Sequence, residues 1–324
     1  MLLVDVRASS VAGAFVLLKK ERGGIVPELQ YVTRVPLDRR RGEYDAAAAL
    51  DRSLAELTRR LGAEGGPVLH YAAGRARPDG VLVSIGAPWQ QNRTRVERIE
   101  KGRSFIYTRA IERAALIRSA RQAPDEHRII QETASAVVLD GRNAARPYGR
   151  RARRADIVIL SASVHERIAQ TVERALRRGL HAHDILWRSS AAVQYEALRS
   201  LYPHEQNIVI VEAAGDAADL AVIRGGIFTD AFAAAGAAAP APEDMPRVAF
   251  LLAEDAPALA CARSAAGACY PNLPRDENPP LLVALAPGHL TDRIRTRGEG
   301  YGDTFLGLLA LYAAQNDAAR GKGA

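Results

Sequence analysis

The fold of this chain is indicated by residues 2–11, LLVDVRASSV, and by a stretch of the same pattern at residues 208–216, IVIVEAAGD. Each stretch is an apolar run that ends in an acid, Asp5 or Glu212, and continues into a turn of small residues. Further strand-like runs follow both turns. A strand–acid–turn–strand unit that occurs twice predicts a duplicated fold with two lobes.

The composition limits the class of protein. With 324 residues, 48% of them hydrophobic, the chain is long enough for two or three compact subdomains. Two cysteines, Cys261 and Cys269, give neither a disulfide framework nor a metal-binding cluster. No run approaches the roughly 18–20 apolar residues that span a bilayer, and the N-terminus has no signal-peptide pattern. We therefore expect a cytoplasmic protein.

Hydrophobic periodicity predicts the individual elements. Residues 1–37 are predicted to form a three-stranded meander. A helix is expected from Asp45, as its cap, to Gly62, as its terminator, because leucines recur between them at helical spacing. Residues 68–71 are predicted as a short strand. The other predicted strands lie near residues 81–85, 94–100, 129–139, 156–161, 208–229 and 281–285, and the other helices near 108–116, 166–178, 189–201, 255–266 and 303–314.

The same pattern divides the chain into three parts. Strand, helix, hairpin and strand within residues 78–165 would make a self-sufficient α+β unit, which we interpret as an insertion. The predicted domains are therefore a first lobe at 1–77, an inserted subdomain at 78–165 and a reduced second lobe at 166–324.

Four local motifs resemble the FtsA and PilM group of actin-like ATPase-fold proteins. Residues 5–11, DVRASSV, resemble the first phosphate motif of that group, and residues 212–226 resemble the second, with DLAV at 219–222 its best-kept part. Residues 88–95, PWQQNRTR, are similar to the opening of the FtsA-type insertion, and residues 188–192 to the segment before the second lobe's sheet. The resemblance covers about residues 1–230. It implies an α/β actin-like ATPase fold with duplicated ribonuclease-H-like lobes, an α+β insertion and a reduced second lobe.

The resemblance also implies a nucleotide site. In actin-like proteins the backbone N–H groups of two opposed turns hold the phosphates, and acids position magnesium. Residues 286–288 stand where the adenosine turn of the group would be. Carried over to this sequence, the positions for ATP are Asp5, Ser9, Ser10, Gly215, Asp216, Asp219 and Gly288, and those for magnesium are Asp5 and Glu212.

Both phosphate motifs depart from the group's pattern. Arg7 stands where glycine is expected, so its side chain either blocks the approach of backbone to phosphate or grips a phosphate itself. In the second motif Glu212 replaces aspartate, Ala214 replaces glycine and Ala218 replaces a threonine hydroxyl. We expect the binding of ATP and magnesium to be weak or lost, and we assign no catalytic residue.

The resemblance implies a cytoplasmic scaffold or adaptor of the PilM/FtsA kind. Such a protein would recruit a partner, for instance the cytoplasmic tail of a membrane protein, to a type IV pilus or cell-division assembly at the inner face of the cell membrane. The inserted subdomain would contact the partner, and self-association stays open. Fold-level analogy supplies this role.

Two alternatives belong to other classes. An active ATPase or small-molecule kinase would use Asp5 and Asp216 with magnesium. A nucleic-acid-binding protein would use a run of arginines, but this run lacks interleaved stacking aromatics apart from Tyr148. The net charge of +7 comes largely from arginine and is weak evidence for nucleic acid, which we disfavour as a partner. The arginines concerned are Arg142, Arg146, Arg150, Arg151, Arg153 and Arg154.

Overall fold

A computed structural model describes residues 1–37, 46–75, 77–121, 125–214, 217–233, 245–269, 280–297 and 302–321. The strands are β1 (Leu2–Val6), β2 (Ser10–Glu21), β3 (Gly24–Pro36), β4 (Val81–Ile85), β5 (Gln90–Ile106), β6 (His127–Leu139), β7 (Arg142–Asn143), β8 (Arg151–His165), β9 (Ile185–Ser189), β10 (Ile208–Ala214), β11 (Ala217–Arg224), β12 (Ile227–Ala233), β13 (Val248–Leu252), β14 (Leu281–Ala284) and β15 (Arg295–Thr296). The helices are α1 (Ala46–Arg60), α2 (Gly66–Ala73), α3 (Arg109–Ala120), α4 (Glu166–Leu180), α5 (Ser190–Leu201), α6 (Ala256–Ala268) and α7 (Thr304–Gly321).

The first sheet has the strand order β15-β3-β2-β1-β4-β9. Strand β1 is antiparallel to β2 and parallel to β4, so the predicted meander of β1, β2 and β3 is confirmed and forms one half of this sheet. Helices α1 and α4 cover one face with apolar side chains, including Leu50, Leu54, Leu57, Val172 and Leu176. The apolar alternation of the strands and the helical spacing of those leucines both point into this core.

The second sheet has the order β12-β11-β10-β13-β14. The predicted second meander is confirmed as β10, β11 and β12, and β13 pairs parallel to β10 just as β4 pairs parallel to β1. Helix α6 packs on one face of this sheet. The two meanders are therefore the two halves of a duplicated architecture.

Helices α5 and α7 lie between the two sheets. Residues 305–314 of α7 are all buried, and they share one hydrophobic core with apolar side chains of β1, β2, β10 and β13. A helix that is apolar on every side is buried on every side. One face of each sheet therefore packs against the same pair of helices, which brings the β1–β2 turn near the end of β10.

The inserted unit is a third sheet, β5-β8-β6-β7, with α3 packed against it. Thr108 caps α3, where its Oγ1 accepts a hydrogen bond from the Ile111 N–H at 3.4 Å. The Asp140 carboxylate holds the arginine-rich hairpin by accepting from the backbone N–H groups of Arg153 and Arg154 at 3.0 and 2.9 Å.

Sheet membership differs from the predicted domain limits. Strand β4 was assigned to the insertion, but it pairs with β1 and belongs to the first sheet. Helix α4 and strand β9 were assigned to the second lobe, but α4 packs on the first sheet and β9 pairs with β4. Parallel pairing of β1, β4 and β9 joins segments that are far apart in sequence, so a division by sequence order separates them.

Two predictions about the first helix are wrong. Gly62 does not end it, because the chain continues through a π-helical turn at Leu61–Gly65 into α2, which ends at Gly74 with φ 69°. Residues 68–71 are helical and not a strand, since Pro67 stands in the first turn of α2, where proline favours a helix. The predicted cap Asp45 lies outside the described residues, as do 234–244 and 270–279.

Candidate functional site

The site is built where the two strand–acid units meet. Asp5 lies on β1 and Glu212 on β10, and both carboxylates are buried, at 0% and 4% exposure. One acid belongs to each sheet, at comparable places in the two meanders. Because two buried carboxylates repel each other, such an arrangement requires positive charge between them.

Arg7, from the β1–β2 turn, supplies that charge. Its guanidinium donates to Asp5 through Nε at 2.6 Å and through Nη2 at 3.1 Å, while Nη1 donates to Glu212. Nη2 also lies 3.3 Å from Ser190 Oγ, and the ring centroid of Phe305 is 3.2 Å from Cζ. Planar stacking of arginine on an aromatic ring holds the guanidinium from one side without using its donors.

Glu212 is held on its other oxygen as well. Its Oε2 accepts from Ser190 Oγ at 2.7 Å and from Gln194 Nε2 at 2.5 Å, both on α5. Gly86 lies against the carboxylate of Glu212, since a Cβ added at Gly86 would collide with Glu212 Oε1. The longer side chain of glutamate, which sequence reasoning treated as a defect, therefore fits a space that a glycine leaves open.

The charges in this cluster are mutually dependent. Burial disfavours the charged guanidinium, but the negative charges of Asp5 and Glu212 outweigh it and raise the pKa of Arg7. The arginine therefore stays protonated, and together with Ser190 and Gln194 it satisfies the two buried acids. This ion-paired cluster of Asp5, Arg7, Ser190, Gln194 and Glu212 is called the interlobe cluster below.

A second arginine lies beside the interlobe cluster. Arg34 of β3 donates from Nε to Asp303 Oδ2 at 2.8 Å and from Nη1 to Ser10 Oγ at 2.5 Å, and its Nη2 is 3.5 Å from Asp5. Its Nη1 is also 3.3 Å from Glu254, which follows β13. Burial works against the charge of Arg34, but the surrounding acids prevail and raise its pKa.

The serines predicted to hold phosphate have protein partners. Ser9 Oγ donates to Glu254 Oε2 at 2.6 Å, which joins the β1–β2 turn to the second sheet, and Ser10 Oγ accepts from Arg34. Gly215 and Asp216 lie outside the described residues. Gly288 lies in a 3₁₀ turn at Pro287–Leu290 and borders a separate cavity of about 350 Å³.

Asp219 lies directly opposite Glu212 across the antiparallel pair of β10 and β11. Its side chain is half-buried, and burial together with the negative charge of Glu212 raises its pKa to about 7. It does not join Arg7, but lines a cavity of about 260 Å³ on the far side of Glu212. The structure thus brings Asp5 and Glu212 together and places Asp219 next to them.

The interlobe cluster does not fit magnesium. Both proposed ligands, Asp5 and Glu212, are bound by Arg7, whose positive charge lies between them. A divalent ion at that position would have to share the acids with a buried guanidinium, which it would repel. Within the described part of the chain there is also no group of three or more His, Cys, Asp or Glu side chains arranged to hold a metal.

Sequence reasoning missed several members of the site. Arg34, Asp303 and Phe305 were not identified, because nothing in their local pattern distinguishes them from ordinary strand or helix residues. Glu254 did carry a signal. It stands just after the apolar run of β13, so it is a third acid at the end of a parallel strand.

No family model and no curated protein matches the sequence. Among solved structures, a PilM–PilN type IV pilus biogenesis complex is similar, with a TM-score of 0.58 and 13% identity over 96% of this chain and 97% of that chain. The chain has the actin-like ATPase fold. This confirms the predicted fold, and the matched structure belongs to the group that the sequence resembles.

Two further structures match over most of their length. One is a protein of unknown function with an actin-like ATPase fold from Bacteroides thetaiotaomicron, with a TM-score of 0.41 and 8% identity over 96% of this chain and 95% of that chain. The other is the cytoplasmic domain of EpsL, an inner-membrane component of the type II secretion system of Vibrio cholerae. Its TM-score is 0.39, at 12% identity over 97% of this chain and 94% of that chain. None of the helices that the structure describes is long and apolar enough to cross a membrane.

Proposed function

We propose that this actin-like chain is an adaptor that closes its two lobes without nucleotide and recruits a protein partner to a membrane-associated assembly of the pilus or division kind. The observation that carries the proposal is the position of Arg7. Its guanidinium bridges an acid of each sheet in the interlobe cluster, the role that magnesium and nucleotide would have in an active relative. Because this cation is a side chain of the protein, the two lobes close without an added metal ion or nucleotide.

Additional contacts between the lobes support this proposal. Ser9 donates to Glu254 at 2.6 Å, and Arg34 Nη1 lies 3.3 Å from the same carboxylate. Both contacts join the first lobe, through the β1–β2 turn and β3, to the residue that follows β13 of the second sheet by two positions. Because the Arg7 guanidinium is shared between Asp5 of its own lobe and Glu212 of the other, opening the cleft would take the buried Glu212 away from its cation, at a cost of several kcal/mol.

The adaptor role also has support on the surface of the insertion. Of the seven large apolar side chains that are exposed in the described residues, four lie in the inserted unit: Val96, Ile106, Ile117 and Tyr148. Contiguous exposed apolar patches mark interaction surfaces, and we infer that these four side chains contribute to the surface that a partner covers. The similar solved structure is a complex of PilM with PilN, and we extend the principle of a protein partner, but not its identity, to this chain.

The nucleotide part of the proposal is tested by calorimetric titration of the full chain with ATP and magnesium. We expect no magnesium-dependent binding of ATP by the wild type. The double variant Arg7→Gly, Glu212→Asp removes the competing cation and supplies the shorter acid, so we expect it to gain magnesium-dependent binding. Micromolar binding by the wild type that is lost in Asp5→Ala would support the alternative of an active ATPase or kinase and contradict the proposal.

The partner part is tested by affinity purification of the full chain from its own cells. We expect components of a pilus or division assembly to co-purify, and we expect Val96→Asp together with Ile117→Asp to remove them. Leu281→Asp is the matched control, since Leu281 is similarly exposed, at 61%, but lies on the edge of the second sheet. Equal loss with the control would show that the insertion is not the contact surface.

A further inference from the structure

One end of the inserted unit carries almost all of the net charge of the chain. Residues 100–113 and 139–153, called the basic tip below, contain nine basic and three acidic residues, a net charge of +6, whereas the whole chain has a net charge of +7. Elsewhere basic and acidic residues nearly balance, so a general preference for arginine does not explain this excess. The basic residues of the tip are Lys101, Arg103, Arg109, Arg113, Arg142, Arg146, Arg150, Arg151 and Arg153.

The topology of the insertion brings these two segments together at the end that is remote from the lobes. Strand β8 runs from its pair with the end of β5, Ile106–Arg151, back to the start of α4 on the first sheet. The Tyr107 N–H donates to Arg150 O at 2.9 Å, and the Asp140 carboxylate holds the β6–β7 turn against β8. Since a strand rises about 3.3 Å per residue, the basic tip lies roughly 40 Å from the other end of β8.

The positive charges of the basic tip are exposed and uncompensated. All nine basic side chains are exposed, and within the described residues none of them forms an ion pair, unlike Arg98 and Arg118 elsewhere in the insertion. Two of the three acids are already engaged. Glu112 accepts from the Tyr148 hydroxyl at 2.9 Å, and Asp140 accepts from backbone N–H groups. The basic tip therefore presents a strongly positive surface to its surroundings.

Protection of a sheet edge does not account for this surface. Charged side chains often prevent edge strands from pairing with other chains. Arg151 and Arg153, however, lie on β8, which is an interior strand paired on both sides, with β5 and with β6. Their charge has no edge to protect, and it indicates instead an anionic surface outside the chain.

Apolar side chains lie among these charges. Ile106 and Tyr148 are each 47% exposed; Ile106 lies opposite Arg151, and Arg109 Cζ is 5.6 Å from the centroid of the Tyr148 ring. Exposed apolar and amphipathic side chains beside basic ones suit the interface of a lipid bilayer, where each kind finds a partner. A single-stranded nucleic acid requires several exposed stacking rings, whereas the neighbouring ring of Tyr107 is buried.

We propose that the basic tip binds directly to a membrane surface rich in anionic phospholipid. Its arginines would bind lipid phosphates through charge-assisted hydrogen bonds, and Ile106 and Tyr148 would enter the boundary between headgroups and acyl chains. This contact goes beyond the proposed adaptor function and does not rest on it, because it needs no protein partner. The surface for a protein partner then centres on Val96 and Ile117, the two side chains that the co-purification test changes.

The test is flotation of the full chain with vesicles, either of phosphatidylcholine alone or of phosphatidylcholine and phosphatidylglycerol in equal parts. We expect binding only to the vesicles with phosphatidylglycerol, and we expect high salt to weaken it. Replacing Arg150, Arg151 and Arg153 together by glutamine should weaken this binding by about a hundredfold, since each basic residue near an anionic surface contributes about fivefold.

The matched control removes the same charge elsewhere. Arg174→Gln, Arg178→Gln and Arg263→Gln change three exposed arginines of α4 and α6, and together they should leave vesicle binding nearly unchanged. The apolar contribution is tested by Ile106→Asn, which should weaken binding by about tenfold. Val96→Asn is its control, because Val96 is similarly exposed, at 57%, but lies outside the basic tip.

Each result decides for or against the proposal. Absence of binding to phosphatidylglycerol vesicles at low salt, equal binding to pure phosphatidylcholine, or equal loss in the two triple variants would overturn it. Displacement of the chain from the vesicles by a single-stranded oligonucleotide at equal phosphate concentration would overturn it in favour of nucleic acid. The proposed adaptor function fails separately, through magnesium-dependent ATP binding by the wild type or through co-purification that Val96→Asp with Ile117→Asp does not change.

Discussion

Replacing Arg7 by methionine is the most direct test of the interlobe cluster. Methionine keeps an unbranched side chain against Phe305 but removes the charge that lies between Asp5 and Glu212, which are buried at 0% and 4% exposure; Asp5 then keeps only Arg34, at 3.5 Å. Removing one partner of a buried ion pair costs about 3–5 kcal/mol. Since the whole free energy of unfolding of a native protein is about 5–15 kcal/mol, Arg7→Met should lose a large part of it.

The assay is urea unfolding followed by circular dichroism, with the midpoint and the slope compared between variants. The triple variant Arg7→Met, Asp5→Asn, Glu212→Gln removes the charges together, and we expect it to recover most of the loss, because a neutral replacement of a buried ionic cluster is often tolerated. Arg98→Met is the control, since Arg98 pairs with Asp156 at 2.9 Å on the surface of the insertion, and exposed pairs contribute little. A loss for Arg7→Met no larger than that for Arg98→Met would refute the reasoning.

Two further predictions concern neighbours of this cluster. Asp219, with a pKa raised from 3.8 to about 7 by burial and by Glu212, holds a proton in the folded state that the unfolded state has released. The free energy of unfolding should therefore fall as pH rises from about 4 to 7, by at most about 4 kcal/mol. Asp219→Asn should remove that fall. Identical pH profiles of the unfolding midpoint for the wild type and Asp219→Asn would contradict this. Gly86→Ala places a Cβ against Glu212 and should cost about 1–3 kcal/mol by overpacking, while Gly102→Ala, with no atom within 4 Å of the added carbon, should change the midpoint little.

The sequence predicted the architecture well because its signals are local. The two meanders show strand periodicity and turn residues within a few positions of each other, and helices α4, α5 and α7 show a continuous apolar spacing. The strands β9 and β13 were missed. Each is only five residues long, and parallel pairing with β4 or β10 stabilises it through partners that are far away in sequence.

The site could be predicted only in part, for a related reason. Asp5 and Glu212 were found because each ends a recognisable strand, but their common partner was read as an obstacle. Whether Arg7 blocks a phosphate or satisfies two acids depends on which groups surround its guanidinium. Those groups include Ser190 of α5 and the ring of Phe305, and the sequence pattern does not connect either of them to the β1–β2 turn. Side-chain pairing across 205 positions is not visible in a single sequence.

The departures from the phosphate motifs become consistent when they are considered together. Taken one by one, Arg7 in place of glycine and Glu212 in place of aspartate each weaken a metal site. In the structure each explains the other, since the longer acid extends to the guanidinium over Gly86, and the guanidinium neutralises both acids. A chain that merely lost its nucleotide would keep two buried carboxylates facing each other, which is costly. Here the Arg7 guanidinium lies between the two acids and neutralises them, which is the arrangement that the proposed closure without nucleotide requires.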